Sequence, residues 1–473
     1  MKVLFLTNIP SPYRVEFFNE LGKHCELTVW FEARSEANRK WRIEQLGASY
    51  RFRFLSGFTL GLDKHVNVSV VAALEREPFD VYVLGGYSSP TEMLAIHWLK
   101  LRRKRFILSS DGGFVSADRW AVGKLKRYLI SSADLWLSSG TNCTRYLQGY
   151  GADPERIVEY PFSSGRLDER ELAPLPPEEK EALKRREGLH GAVILSVGQF
   201  IPRKGFDVLL DAFGRLSGGG VSLLLIGGGP EREKYERTVR DRGLRHVVIK
   251  DFMHKRELLR YWKVADLFAL PTREDIWGLV LNEALAFGLP IVATTKAGAA
   301  FDLVREGVNG YRVPPDNPAA LADRCGRLAR QPELRRRFGA ESRKLAERYR
   351  MERMVEKHVE ALERFMSEGG DAGIGGKRRA APPAAARAQA EDGGAAAAGM
   401  SGGVAAIDVT ETSGGARKGT GGGVAARDVA EAAGDGNEGG GAPSGGVGTP
   451  GGPARSGGAG EPGRAAASGG ANG

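Results

Sequence analysis

The sequence predicts an α/β protein made of two doubly wound, mostly parallel sheets. Short apolar runs of strand length alternate with longer segments of helical period, a pattern that covers both faces of a parallel sheet with helices. The pattern occurs twice, on either side of a break at Ala173-Pro174-Leu175-Pro176-Pro177. Glycine clusters such as Gly227-Gly228-Gly229-Pro230 stand where strands end, and ligands of such sheets gather at the carboxyl ends of the strands.

The first half opens with a strand at Val3–Thr7, the loop Asn8-Ile9-Pro10-Ser11-Pro12-Tyr13-Arg14 and a helical pattern through Phe17, Phe18 and Leu21. Further strands are expected at Leu27–Phe31, Arg51–Leu55, Val81–Leu84, Phe106–Leu108 and Leu135–Leu137, within a first domain of residues 1–172. The proline-rich break and the charged run Glu178–Arg186 mark a linker over residues 173–190. A second domain, residues 191–348, is expected to carry strands at Val193–Val197, Ser222–Ile226, Val247–Ile249, Leu267–Leu270 and Ile291–Ala293. A last helix over residues 349–366 places Met351, Met354, Val355, Val359, Leu362 and Phe365 on one face, and packing back on the first domain is expected. Residues 367–473 are dominated by Gly, Ala, Ser, Pro and Arg. They hold too few large apolar side chains to offset ordering entropy, so a disordered tail is expected there. The echo between Gly402–Glu411 and Gly422–Glu431 reads as low-complexity duplication.

The 473 residues carry a formal charge of +10 and a pI near 9.4, which favours an acidic partner such as a nucleotide diphosphate, a nucleic acid or an anionic membrane surface. Cys25, Cys143 and Cys325 are few, odd in number and widely spaced, which fits a reducing compartment. The apolar start Met1–Thr7 is too short for a signal-peptide core, and no run is long enough to span a bilayer. A cytoplasmic protein, at most attached to a membrane surface, is the expectation. Neither half has G-x-G-x-x-G after its first strand, which disfavours a dehydrogenase. The positive charge comes with no nucleic-acid-binding motif.

Candidate chemistry centres on Arg273–Pro290, between two apolar strand candidates. Asp275 and Glu283 stand either side of Gly278, where a loop gives way to a helix with Leu279, Leu281, Ala284 and Leu285 at its apolar positions. A helix start after a strand offers free N–H groups and partial positive charge to a phosphate, and nearby carboxylates suit sugar hydroxyls. An ordinary βαβ unit with an acidic first turn fits the same residues. Upstream, Ser196-Val197-Gly198-Gln199-Phe200-Ile201-Pro202-Arg203-Lys204-Gly205 reads as a strand, a glycine turn and two cations before a helix. An Arg fork and a Lys point charge suit a diphosphate; a solvated basic loop is the alternative.

The ordered segments GQFIPRKGFDVLLDAF, LLLIGGGP, ADLFALPTREDIWGLVLNEALAFGLPIVAT and GVNGYRVPPDNPAALA resemble the nucleotide-sugar domain of retaining GT-B glycosyltransferases, the glycosyl transferases group 1 (family 4) superfamily. Residues 1–172 resemble the acceptor domain of that family more loosely. The resemblance implies a GT-B fold of two Rossmann-like domains facing across a cleft. It implies transfer of a sugar, of hexosyltransferase type, from a nucleotide-diphosphate sugar to a hydroxyl on a lipid-linked glycan, polysaccharide or small molecule. Retention of configuration by same-face attack is part of that implication. No cofactor is implied beyond the donor substrate and no metal, in keeping with the lack of any Asp-x-Asp pair. A nucleotide-sugar epimerase on the same fold, or a catalytically weak nucleotide-sugar-binding protein, is the alternative.

By the same resemblance, the family's E-x7-E acids fall on Asp275, beside the donor sugar, and Glu283, on the ribose. Arg203 and Lys204 match the cations on the diphosphate, and Gly278, Leu279 and Val280 would offer it backbone N–H groups. Where many members have a histidine, this chain has Asp111 in Ser109-Ser110-Asp111-Gly112-Gly113; it takes over that role or merely caps a turn. Arg14 is a candidate phosphate or acceptor contact, or a surface residue at a helix start. The run Lys100, Arg102, Arg103, Lys104 and Arg105, with Lys124, Lys126 and Arg127 further on, suits an anionic membrane surface or a solvated helix end.

Overall fold

The structure, a computed structural model, describes residues 1–370 apart from 37–42, 44, 62, 116–117 and 217–219. The tail expected from residue 367, with its duplicated motif, lies outside the described residues from 371 onward. Strands β1 (Lys2–Thr7), β2 (Glu26–Phe31), β3 (Arg51–Phe54), β6 (Val81–Leu84), β7 (Ile107–Ser110), β8 (Leu135–Ser138) and β9 (Ile157–Glu159) form one sheet, ordered β3-β2-β1-β6-β7-β8-β9, with every pairing parallel. A short antiparallel hairpin, β4 (Phe58–Leu60) with β5 (Lys64–Val66), stands outside it. Strands β10 (Ala192–Val197), β11 (Val221–Ile226), β12 (Val247–Lys250), β13 (Leu267–Leu270), β14 (Ile291–Thr294) and β15 (Gly310–Val313) form a second parallel sheet, ordered β12-β11-β10-β13-β14-β15.

Near-continuous apolar runs such as Val3–Leu6 and Leu267–Leu270 are buried on both faces because helices cover both sides of each sheet. The strand order reverses beside β1 in the first sheet and beside β10 in the second. In doubly wound sheets the crevice at such a reversal is where ligands bind. Phe17, Phe18, Phe162, Trp277, Leu281 and Met354 belong to one apolar cluster that runs through both halves of the chain.

Two segments differ from the sequence expectation. Within residues 173–190, the run Pro177–Arg186 is a helix with Pro at its first turn, Glu178 and Glu179 there, and Lys184, Arg185 and Arg186 in its last turn. That charge order suits the helix dipole. Lys180 and Lys184 grip Asp266 at 2.8 and 3.1 Å, so the helix is fastened to the start of β13. Burial works against the Asp266 charge, but the two lysines outweigh it and hold its carboxyl below the usual range. The final helix runs Met351–Gly370, past the expected end at residue 366. Arg364 bonds Glu368 at 2.8 Å and the Glu155 carbonyl at 2.9 Å, which holds the extra turn against β9.

Candidate active site

On the first sheet, β7 delivers Asp111 to its carboxyl end. Arg14 stands in the first turn of the helix Pro12–Leu21. It is not the surface residue that was the alternative from sequence: only 4% of the side chain is exposed, and Nη2 donates to Asp111 Oδ1 at 2.5 Å. Phe5, Tyr13 and Phe162 surround the guanidinium, with ring centres 5.7–5.9 Å away. Burial penalises the Arg14 charge, yet the Asp111 carboxylate outweighs it and holds Arg14 more firmly protonated than usual. Arg14 Nη1 is buried without a partner. Tyr160 Oη lies 3.5 Å from the same carboxylate oxygen, and Ser139 Oγ donates to the Asp111 carbonyl at 2.9 Å. Asp111 itself keeps 34% of its side chain exposed.

Behind this pair sits His358 of the final helix, its ring 4.5 Å from Phe17 and 4.4 Å from Tyr160 between centres. Its Nδ1 donates to the Met354 carbonyl at 2.7 Å. Burial pushes its pKa down to about 3, so the ring is neutral. Sequence reading passed over it. The available signal was its position, four residues after Met354 and four before Leu362, on the apolar face of that helix.

On the second sheet, the segment after β10 turns through Pro202–Lys204 and then Gly205. Gly205 has φ +67°, and a Cβ there would lie 2.1 Å from the Pro271 carbonyl oxygen, so only glycine fits. The turn is laced to the loop after β13, because the Arg203 carbonyl accepts from the Arg273 N–H at 2.8 Å and from Thr272 Oγ1 at 3.0 Å. This brings three of the sequence candidates together. Lys204 is ion-paired with Asp275, each about 15% exposed, and the exposed Arg203 reaches the Glu274 carbonyl at 3.1 Å. Asp275 is pinned in turn, donating to Lys296 O at 2.8 Å and accepting from Gly298 N at 2.9 Å.

Gly278 has φ +95° and leads through Leu279 into the helix Val280–Ala286, which is only seven residues long. Glu283 lies in the first turn of that helix. It is half-buried, and no hydrogen bond or ion pair joins it to Asp275, Arg203 or Lys204 among the described residues. Burial pushes its carboxyl up to about 7, with Lys255 pulling slightly the other way. The glycine-rich exit of β11 approaches the protein's own backbone: a Cβ at Gly227 would lie 1.8 Å from the Gly198 carbonyl oxygen.

The two carboxyl-end surfaces touch. A Cβ at Gly112 would lie 3.3 Å from the Ile276 carbonyl oxygen, which places the Asp111 loop against the Asp275 loop. Phe162 and Trp277 are 5.6 Å apart between ring centres. Asn282 accepts from Trp277 Nε1 at 2.9 Å and donates to the Phe162 carbonyl at 2.7 Å. Asp302 takes the Thr141 hydroxyl at 2.5 Å and its N–H at 3.2 Å. Trp277 and Asn282 lie within the Arg273–Pro290 segment but were not singled out there, and Asp302 and Thr141 carry no recognisable motif.

The basic run at 100–105 does not present one face. Lys100 bonds Ser132 Oγ at 2.8 Å, Arg102 pairs with Glu75, and Arg105 stacks over Phe365 at 4.3 Å. Among the described residues, no group of three or more His, Cys, Asp or Glu is placed to hold a metal, and no helix is long and apolar enough to cross a membrane.

The family model for glycosyl transferases group 1 matches residues 178–345. A GDP-mannose-dependent alpha-(1-6)-phosphatidylinositol monomannoside mannosyltransferase of Mycolicibacterium smegmatis is 31% identical over 350 residues, covering 70% of this chain and 88% of that protein. A D-inositol 3-phosphate glycosyltransferase of Xylanimonas cellulosilytica is 28% identical over 295 residues, 53% of this chain and 69% of the relative. The match to an uncharacterized glycosyltransferase of Methanocaldococcus jannaschii, 28% identical over 161 residues, takes in 34% of this chain and spans about half of that relative's length, 45%. Among solved structures, Anabaena HepE in complex with UDP and glucose superposes with a TM-score of 0.61 at 17% identity, covering 77% of this chain and 99% of that one. Sucrose-phosphate synthase from Thermosynechococcus elongatus gives 0.62 at 17% identity, covering 78% and 99%. These likenesses show the fold, two parallel α/β halves of GT-B type. With it, and with the similarity to the mycobacterial protein along most of its length, the chain belongs to the glycosyl transferases group 1 family.

Proposed function

We propose that the chain transfers a sugar from a nucleotide-diphosphate sugar to a hydroxyl acceptor, retaining the anomeric configuration and using no metal. Residues 191–348 take the donor and residues 1–172 the acceptor. Arg203 and Lys204 face the diphosphate, helped by the N–H groups of Gly278, Leu279 and Val280. Asp275 lies against the donor sugar and, through its ion pair, holds Lys204 in place, while Glu283 takes the ribose hydroxyls. As the bond between the anomeric carbon and the phosphate oxygen breaks, negative charge gathers on the leaving diphosphate, where fixed cations lower the barrier. The acceptor oxygen bonds to the anomeric carbon on the same face, and its proton passes to the departing phosphate oxygen. Asp111, with one oxygen held by Arg14, orients that hydroxyl. The names of the relatives support a nucleotide-sugar donor.

One observation carries this reading: the Lys204–Asp275 and Arg14–Asp111 pairs stand at the carboxyl ends of two sheets whose loops meet at Gly112 and Ile276. The test is to incubate the protein with a panel of nucleotide sugars, with and without lipid-linked, oligosaccharide and small-alcohol acceptors, and to measure released nucleotide and product. Acceptor-dependent release, reduced about 10²–10³-fold in Asp111→Asn with donor affinity kept, is the expected result. An isomerised sugar formed without acceptor, or donor binding without turnover, would overturn it.

A further inference from the structure

We infer that the crevice at the strand reversal of the first sheet holds an ammonium group, so that the acceptor is an amine-bearing sugar or polyol. The step from ammonium to acceptor rests on the proposed reading of the active site; the ammonium site does not. Glu32 follows β2 and Asn8 follows β1, on one side of the reversal. Gly85 and Gly86 follow β6 on the other side and lead to the helix Pro90–Leu101, with Ser89 just before it and Glu92 in its first turn. Side chains stitch the two sides together. Ser89 Oγ donates to Glu32 Oε1 at 2.8 Å and accepts from the Glu92 N–H at 3.0 Å, while Glu92 Oε2 accepts from the Ser89 N–H at 3.0 Å. A Cβ at Gly86 would lie 2.3 Å from Glu92 Oε1, so the glycine leaves that carboxyl its place at the strand end.

Glu32 is 2% exposed and Glu92 5%; neither forms an ion pair with a described residue, and Glu32 Oε2 is buried without any partner. Glu36, beside them, accepts from the exposed Asn8 Nδ2 at 3.3 Å and lies 3.8 Å from His65 Nε2. Burial, and after it the nearby Glu92, push the Glu32 carboxyl up, so it keeps a proton that an ordinary glutamate has lost. Carboxyls this close and this dry oppose each other's ionisation. A hydroxyl would satisfy the orphan oxygen but leave that repulsion. An ammonium brings three donors and the opposite charge, and hydrogen bonds between ions are the stronger kind. Burial also raises the Glu92 carboxyl, and Asp111 adds to it, so the crevice and Asp111 are within electrostatic reach. Adjacent strands lie about 4.8 Å apart, which puts the reversal about 5–10 Å from the end of β7, a gap that one substituted sugar ring spans.

Calorimetry without donor compares glucosamine, galactosamine and mannosamine with their parent hexoses and their N-acetylated forms. At least one amine should bind about tenfold or more tighter than its parent and its acetylated form. Glu32→Gln and Glu92→Gln, which keep the Ser89 bond and the helix cap, should each bring that amine down to the level of its parent sugar. Urea unfolding checks that both variants fold, and Glu333→Gln, at an exposed position of the second half, should leave the preference intact. No amine bound in preference to its parent, or a preference that survives both variants, would overturn the ammonium site. Transfer is read separately, with nucleotide sugars added. Amine-selective binding with turnover confined to parent or acetylated sugars would overturn the step to the acceptor alone. Amine-selective binding with no turnover on any acceptor would sink the transferase reading and leave the ammonium site standing.

Discussion

Replacing Glu283 by glutamine should stabilise the protein in base and do little in acid. In the folded chain burial pushes the carboxyl up to about 7, against an ordinary value near 4.5. The folded state therefore holds a proton that the unfolded chain has already lost between those values. Stability from this group is fully present below about pH 4.5, falls as pH rises towards 7, and stays lost above it. A gap of about 2.5 at about 1.36 kcal/mol per pH unit sets an upper bound near 3 kcal/mol, and the partial access of the side chain to water brings the expectation to about 2 kcal/mol. Urea unfolding of wild type and Glu283→Gln at pH 8 and pH 5 measures it, with the advantage of glutamine expected to shrink below about 1 kcal/mol at pH 5. The same titration bears on donor binding. A ribose that bonds the carboxylate should lose affinity about tenfold per pH unit below 7, and Glu283→Gln should flatten that dependence. A glutamine variant with a pH-independent stability difference, or one less stable than wild type at pH 8, would refute the reasoning.

Three other outcomes follow from the geometry. Lys204→Met should lower kcat/KM for the donor by about 10²–10³-fold in steady-state assays, whereas Arg185→Met on the exposed linker helix should change it little. Asn282→Ala leaves Trp277 Nε1 and the Phe162 carbonyl without partners, so urea unfolding should show a loss of about 2–4 kcal/mol. His358 stays neutral when folded, its pKa held near 3 by burial, while in the unfolded chain it takes a proton below its ordinary 6.5. Its contribution is therefore present above about pH 6.5 and lost as pH falls, costing about 2 kcal/mol by pH 5. His358→Leu should remove that part of the acid sensitivity in paired unfolding curves, and identical pH slopes would contradict it.

The strands were legible because fully buried parallel strands are continuous apolar runs, and the observed bounds of β6 and β13 are those expected. The edge strands β9 and β15 and the hairpin β4–β5 were not, since Phe58 and Leu60 are exposed and their pairing depends on partners distant in sequence. On the second sheet, Arg203, Lys204 and Asp275 were readable because each lies in a local motif, and the structure brings them into one turn-and-loop pair. The other side was harder to read. Arg14 and Asp111 are 97 residues apart, and nothing local says that one guanidinium is buried to hold the other's carboxylate. The tie from Asn282 to Phe162 spans 120 residues and is equally silent in the sequence.

The final helix makes the amino-terminal half a composite of both chain ends. It places His358 between Phe17 and Tyr160, and Arg364 against the Glu155 carbonyl, after the chain has passed through the whole second sheet. During synthesis, the first half therefore waits with Phe17 and Tyr160 unfinished until residues near 358 have left the ribosome. Excising residues 1–172 as an independent piece would expose that seam, and the Arg14–Asp111 pair beside it would lose its backing. The unit of folding for the first half is thus longer than its own continuous stretch of sequence, and dissecting this enzyme by domain requires grafting the helix Met351–Gly370 onto it.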